Sequence, residues 1–135
     1  SVDSERLLRL IDAEAQRLNR TIDVLLQVHV AEEETKFGFT PDELLNFVES
    51  GALDELTHVR VVGVMGMATN TDDEMRIRAD FEAISQTYKK ARALLKCDDD
   101  FKHISMGMSD DYLMAIECGS TMVRIGSTIF GNRQY

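Results

Sequence analysis

Residues 22–30 read IDVLLQVHV, a near-continuous apolar run rich in β-branched residues, the pattern of a strand covered on both faces in a parallel sheet. The run recurs. Residues 59–65 are again mostly apolar, 102–107 form a third strand candidate, and 121–125 a fourth. Helical patterns separate them. Before the first run, Leu7, Leu10, Ile11, Ala15 and Leu18 recur at helical spacing, with Asp3 or Ser4 as N-cap. Between the first and second, Thr40-Pro41-Asp42-Glu43 forms a capping box with proline at the first helical position, and the helix is expected to stop at Gly51. Thr71-Asp72-Asp73-Glu74 repeats the box and opens a long helix with the face Ile77, Phe81, Ile84, Tyr88, Ala91 and Leu95. Its basic residues Lys89, Lys90, Arg92 and Lys96 gather at the end that the helix dipole favours. Ser109-Asp110-Asp111 opens a last short helix that ends at Gly119.

The order is therefore α, β, α, β, α, β, α, β, which predicts parallel α/β construction, either a doubly wound sheet or a barrel. The 135 residues suit one domain over residues 1–135. A complete (β/α)8 barrel needs about 250 residues, so a barrel built from these strands is half of one. The chain opens on Ser1 and runs at once into a helix pattern, as expected of a chain that begins mid-fold.

A net charge of -9 argues against a broad nucleic-acid or anionic-membrane footprint, since either needs clustered Lys and Arg. Cys97 and Cys118 have no metal-ligand or redox spacing, and His29, His58 and His103 lie far apart, so no metal site is expected. With no leader and no apolar run long enough to span a bilayer, the expected setting is cytoplasmic, with both thiols reduced.

Parallel α/β folds collect function at the carboxyl ends of their strands. Two of these ends carry the strings SMGMSDD and RIGS, which set glycine amides, two hydroxyls and a fresh helix N-terminus side by side. A phosphate or sulfate fits between Ser109 and Gly126-Ser127 on this reading. The same residues also fit a plainer one, in which Ser109 caps its own helix and Gly107 and Gly126 make tight turns. Arg124 lies inside an apolar strand, where its guanidinium must find an anion, a salt-bridge partner, an acceptor or water. Met65, Met67, Met106 and Met108 suit either packing against a planar ligand or filling a core. Lys36 is a poor nucleophile, because the glutamates around it keep it protonated, and the acidic run Glu32–Glu34 reads as a solvated loop.

Taken together, QVHVAEEETKFGF, GVMGMATN, SMGMSDDYLMAIECGSTMVRIGSTIFG and NRQY resemble the pyridoxal phosphate homeostasis protein family, relatives of the alanine racemase barrel, along essentially the whole chain. The resemblance implies a TIM barrel of alanine racemase type with this chain supplying strands five to eight. It also implies pyridoxal 5'-phosphate as cofactor and a non-catalytic role in vitamin B6 and amino-acid homeostasis. Ser109, Gly126 and Ser127 would then hold the phosphate, Arg124 would face the pyridine nitrogen, and Met108 would join the cofactor residues. The family's Schiff-base lysine lies on its first strand, outside these residues, so covalent attachment within this chain is not expected. The alternatives are a fragment of a racemase or decarboxylase of the same fold, whose second domain bears a catalytic tyrosine or cysteine, and a half-barrel that self-associates through exposed edges without ligand.

Overall fold

The computed structural model describes residues 1–135 apart from Lys36, Cys97 and Tyr135. The expectations for Lys36 and Cys97 therefore fall outside the described residues. Helix α1 (Glu5–Arg17) starts behind Ser4, whose hydroxyl accepts from the Leu7 amide at 3.2 Å. It packs through Leu8, Ile11 and Ala15, so the buried stripe is rotated away from Leu7, Leu10 and Leu18, which stay exposed. Strand β1 (Ile22–Val28) follows, then α2 (Pro41–Glu49), where Thr40 caps the Glu43 amide as the sequence predicts. A 3-10 turn at Ala52–Glu55, which no sequence pattern announces, leads into β2 (Val59–Gly66).

Helix α3 (Glu74–Leu94) begins two residues later than a cap at Thr71 implies. Asp73 is the cap, its carboxylate accepting from the Met75 and Arg76 amides, while the Thr71 hydroxyl accepts from the amide of Asp73 itself. Any of the neighbouring Thr and Asp residues has the right chemistry, and the local turn decides which one serves. Strand β3 (His103–Met108), α4 (Tyr112–Glu117), β4 (Met122–Arg124) and a one-turn α5 (Ser127–Phe130) complete the chain. Among the described residues no helix is long and apolar enough to cross a membrane.

The four strands are all parallel and lie in the order β1-β2-β3-β4. A doubly wound sheet reverses its strand order and carries helices on both faces. Here the order does not reverse. Leu8 of α1, Leu44 of α2, Phe81 and Ile84 of α3 and Ala115 of α4 join one apolar cluster with Val24, Leu26 and Val28 of β1. Alternate β1 residues point to the other face, and there Asp23 is about half exposed, paired with Arg60 of β2 at 2.8 Å. Helices on one face and unreversed strand order are barrel construction.

The outer edge of β1 is closed by the chain itself. The Val2 amide donates to the Leu25 carbonyl and its own carbonyl accepts from Gln27, while Phe39 bonds to Gln27 and His29 in the same way, each bond 2.7–2.9 Å. Neither residue looks like a strand in sequence, since each contributes a single bridge.

Between β2 and β3 the backbones approach so closely that a Cβ on Gly63 would lie 2.0 Å from the His103 carbonyl oxygen. Gly63→Ala should therefore lower stability by about 3 kcal/mol, near the upper end for overpacking, as read by urea unfolding. An unchanged midpoint would contradict this β2–β3 contact.

Candidate functional site

The carboxyl ends of the strands lie together at one end of the sheet, and two networks shape that end. The first joins the loops after β1 and β2. Asp80 of α3 is 3% exposed, and its Oδ2 accepts from the Thr69 amide at 2.8 Å and the Thr69 hydroxyl at 2.6 Å. Arg76, one turn earlier, forms an ion pair with Asp80 at 3.0 Å and donates to Glu32 and to the Val30 carbonyl. The Glu32 amide in turn donates to the Thr69 hydroxyl, and Glu33 accepts from the Asn70 amide. So the acidic run is not a freely solvated loop. The Glu32 carboxylate pairs with Arg76 of α3 and the Glu33 carboxylate with the Asn70 amide in the loop after β2, long-range contacts invisible to local charge patterning.

The second network joins the ends of β3 and β4. Gly107 has φ +103, and a Cβ there would lie 2.6 Å from the Ala115 Cβ, so only glycine lets α4 sit this close to the strand end. Strand β4 has only three residues, and side chains that precede it add to its backbone pairing with β3. The Ser120 hydroxyl donates to the Met106 carbonyl at 2.6 Å, and the Thr121 hydroxyl accepts from the Ile104 amide at 2.8 Å. Sequence reasoning missed both residues, although a Gly-Ser-Thr step into a strand offers hydroxyls where a short strand lacks backbone partners.

Ser109 does not cap α4. Helix α4 begins at Tyr112 behind Asp111, whose carboxylate accepts from the Met108 amide at 2.8 Å. The Ser109 hydroxyl oxygen instead accepts from two amides at the start of α5, Gly126 at 3.2 Å and Thr128 at 3.3 Å. The plainer reading of Ser109 is thereby overturned, because the nearby carboxylate holds the turn and leaves the hydroxyl free to reach the next loop.

Arg124 reaches across the end of β3, and its Nη2 donates to the Gly66 carbonyl at 2.7 Å. Its Nε is buried without a hydrogen-bond partner, and among the described residues it makes no salt bridge. Burial draws the guanidinium below arginine's usual range, and the negative charge of Asp111 acts in the opposite direction. A fixed cation with a free buried donor points to an acceptor.

Met108, Ser109, Arg124, Gly126, Ser127 and Arg133 line one cavity of about 630 Å³. The five residues singled out from the sequence thus come together, with Arg133 as an addition. Of the other methionines, Met65 and Met106 are buried in the core, whereas Met67 lines a second cavity of about 1050 Å³ that shares Met108, Ser109 and Asp110 with the first. Among the described residues no group of three or more His, Cys, Asp or Glu side chains is arranged to hold a metal ion. Neutral donors aimed at one point, two guanidinium groups and a flanking apolar wall can bind an anion carried on a flat apolar body.

Residues 1–134 match the family model described as alanine racemase, N-terminal domain. The pyridoxal phosphate homeostasis protein of Pasteurella multocida is 31% identical over 135 residues, covering all of this chain and 57% of that protein. PipY of Synechococcus elongatus matches at a TM-score of 0.88 and 28% identity without PLP, and at 0.77 and 30% identity with PLP bound. These matches cover 97% of this chain and 60% and 59% of PipY. The chain thus spans little more than half the length of such relatives, and over that span it belongs to the alanine racemase N-terminal domain family.

Proposed function

We propose that this chain binds pyridoxal 5'-phosphate in the cavity between the ends of β3 and β4, as the phosphate-side half of a non-catalytic protein of vitamin B6 and amino-acid homeostasis. The observation that carries the reading is the convergence of the Gly126 and Thr128 amides on the Ser109 hydroxyl, beside the unpartnered Nε of Arg124. Amides at a helix start, aimed at one oxygen, suit a phosphate oxygen as well as a hydroxyl. Ser109, Gly126 and Ser127 hold the phosphate, Met108 packs against the ring, and Arg124 faces the ring nitrogen. A guanidinium has donors only, so it keeps that nitrogen an acceptor and withholds the proton that would make the ring a strong electron sink. Bound here, the cofactor supplies an electron-withdrawing ring whose power this partner limits, in keeping with a role in binding and not in turnover. The homeostasis name of the Pasteurella relative and the PLP-bound form of PipY support the same reading. It includes a cytoplasmic setting and the assignment of β1 to β4 as barrel strands five to eight.

Self-association is the second reading, and a specific observation favours it. The outer edge of β4 has no backbone partner among the described residues, and Met122 of β4 and Ile129 and Phe130 of the following α5 are exposed. Because Val2 and Phe39 already occupy the outer edge of β1, pairing between copies uses β4.

Inorganic phosphate should compete with pyridoxal phosphate, and the double variant Ser109→Ala, Ser127→Ala should weaken both by about tenfold in a fluorescence titration. Unchanged affinity in that variant removes the site. Among the described residues no lysine lines either cavity. Borohydride reduction with added cofactor should accordingly label lysines in a scattered, substoichiometric pattern on peptide mapping. Stoichiometric labelling of a single lysine would contradict this division of labour.

A further inference from the structure

We propose that Arg133 supplies the second positive charge that the anion site between β3 and β4 needs beside Arg124, and that it makes the site prefer a dianionic phosphate group to a monoanion. The inference rests on the phosphate-binding reading above and asks what sets the charge preference of that site.

The donors that converge there carry no formal charge. They are the amides of Gly126 and Thr128, which meet on the Ser109 hydroxyl oxygen, and the proton of that hydroxyl. Arg124 is charged, but its Nη2 is committed to the Gly66 carbonyl. Against an anion stand Asp110, which lines the cavity, and Asp111, whose carboxylate is fixed beside it by the Met108 amide. The chain as a whole carries a charge of -9. Neutral donors and a single guanidinium facing two nearby carboxylates leave a dianion with an unbalanced charge.

Arg133 lines the same cavity, is exposed, and makes no ion pair or side-chain hydrogen bond among the described residues. Arg9, Arg17, Arg60, Arg76, Arg78 and Arg92 each face a carboxylate within 4.0 Å, and Arg6 and Arg20, which make no ion pair among the described residues, do not line the cavity. Its charge is uncommitted, and its planar fork of donors suits the oxygens of a phosphate. The short segment Gly131–Asn132 that carries it also lines the cavity, which keeps the guanidinium within reach of it. The charged groups lining the cavity are Asp110, Arg124 and Arg133, with Asp111 held next to Met108 and acting on Arg124, and no histidine is among the described lining residues.

A phosphate monoester gains its second negative charge with a pKa of about 6. A site with a free guanidinium therefore binds it more tightly as pH rises through that value, and a site without one gains little. The test is calorimetric titration of the full chain with inorganic phosphate and with pyridoxal phosphate, at about pH 5 and about pH 7.5. The variants are Arg133→Gln, Arg133→Lys and Ser109→Ala. Arg133→Gln should lose about fivefold in affinity at the higher pH and little at the lower, flattening the pH profile, and Arg133→Lys should restore most of it. If Arg133→Gln keeps the wild-type profile while Ser109→Ala weakens binding, the phosphate site stands and the role of Arg133 falls. Equal loss at both pH values without rescue by lysine assigns Arg133 a structural role and also overturns the proposal. If the wild-type chain takes up no phosphate, or Ser109→Ala changes nothing, the phosphate-binding reading itself fails and this inference goes with it.

Discussion

The Ser109 hydroxyl links two loops that are 17 positions apart, and the geometry of this end of the sheet depends on it. It is available only because Asp111 takes over the turn after β3 and Gly107 lets α4 approach the strand. Its amide donors are positioned by a three-residue β4 that pairs with β3 and is fastened further by Ser120 and Thr121. A hydroxyl oxygen that accepts from two amides is a neutral occupant of a position that a charged oxygen would fill more strongly, since charge-assisted hydrogen bonds are roughly twice as strong as neutral ones. The resting contact and the proposed ligand contact therefore use the same donors.

Much of the architecture could be read from local pattern. The β-branched runs became strands, and Ser4 and Thr40 cap helices as their spacing predicts, because both signals depend on neighbours in sequence. The gathering of Met108, Ser109, Arg124, Gly126 and Ser127 in one cavity also followed from the rule that parallel strands present their carboxyl ends together. What escaped was set by distant partners. Leu8 and not Leu7 faces the sheet because the angle at which α1 docks selects the buried stripe, and amphipathic spacing alone fits both. Glu32 and Glu33 look solvated in sequence but meet Arg76 and the Asn70 amide across the sheet end. Val2 and Phe39 each supply one bridge to β1, too little to leave a strand pattern. Arg133 drew no attention as part of a terminal NRQY string, since only the fold brings it to the cavity.

The strongly acidic composition and an anion site are compatible because electrostatics in water is local, with a screening length of about 8 Å at physiological salt. Most arginines are neutralised where they stand, as Arg60 is by Asp23 and Arg78 by Glu117. The cavity at β3 and β4 brings together two guanidinium groups, Arg124 and Arg133, that make no ion pair among the described residues. Arg124 is held in place by a carbonyl and half-buried, whereas Arg133 is exposed, which suits the first to orienting a ring and the second to balancing charge.

The central claim is that the Gly126 and Thr128 amides turn from the Ser109 oxygen to a phosphate oxygen, to which the Ser109 hydroxyl then donates. The most direct measurement is an amide-resolved NMR titration of the chain with pyridoxal phosphate. The account predicts saturable downfield shifts of the Gly126 and Thr128 amide protons, reproduced by inorganic phosphate, with Asn70 and Thr71 in the larger cavity unaffected by phosphate. Shifts confined to the larger cavity, or none at Gly126 and Thr128 at saturating ligand, would contradict it.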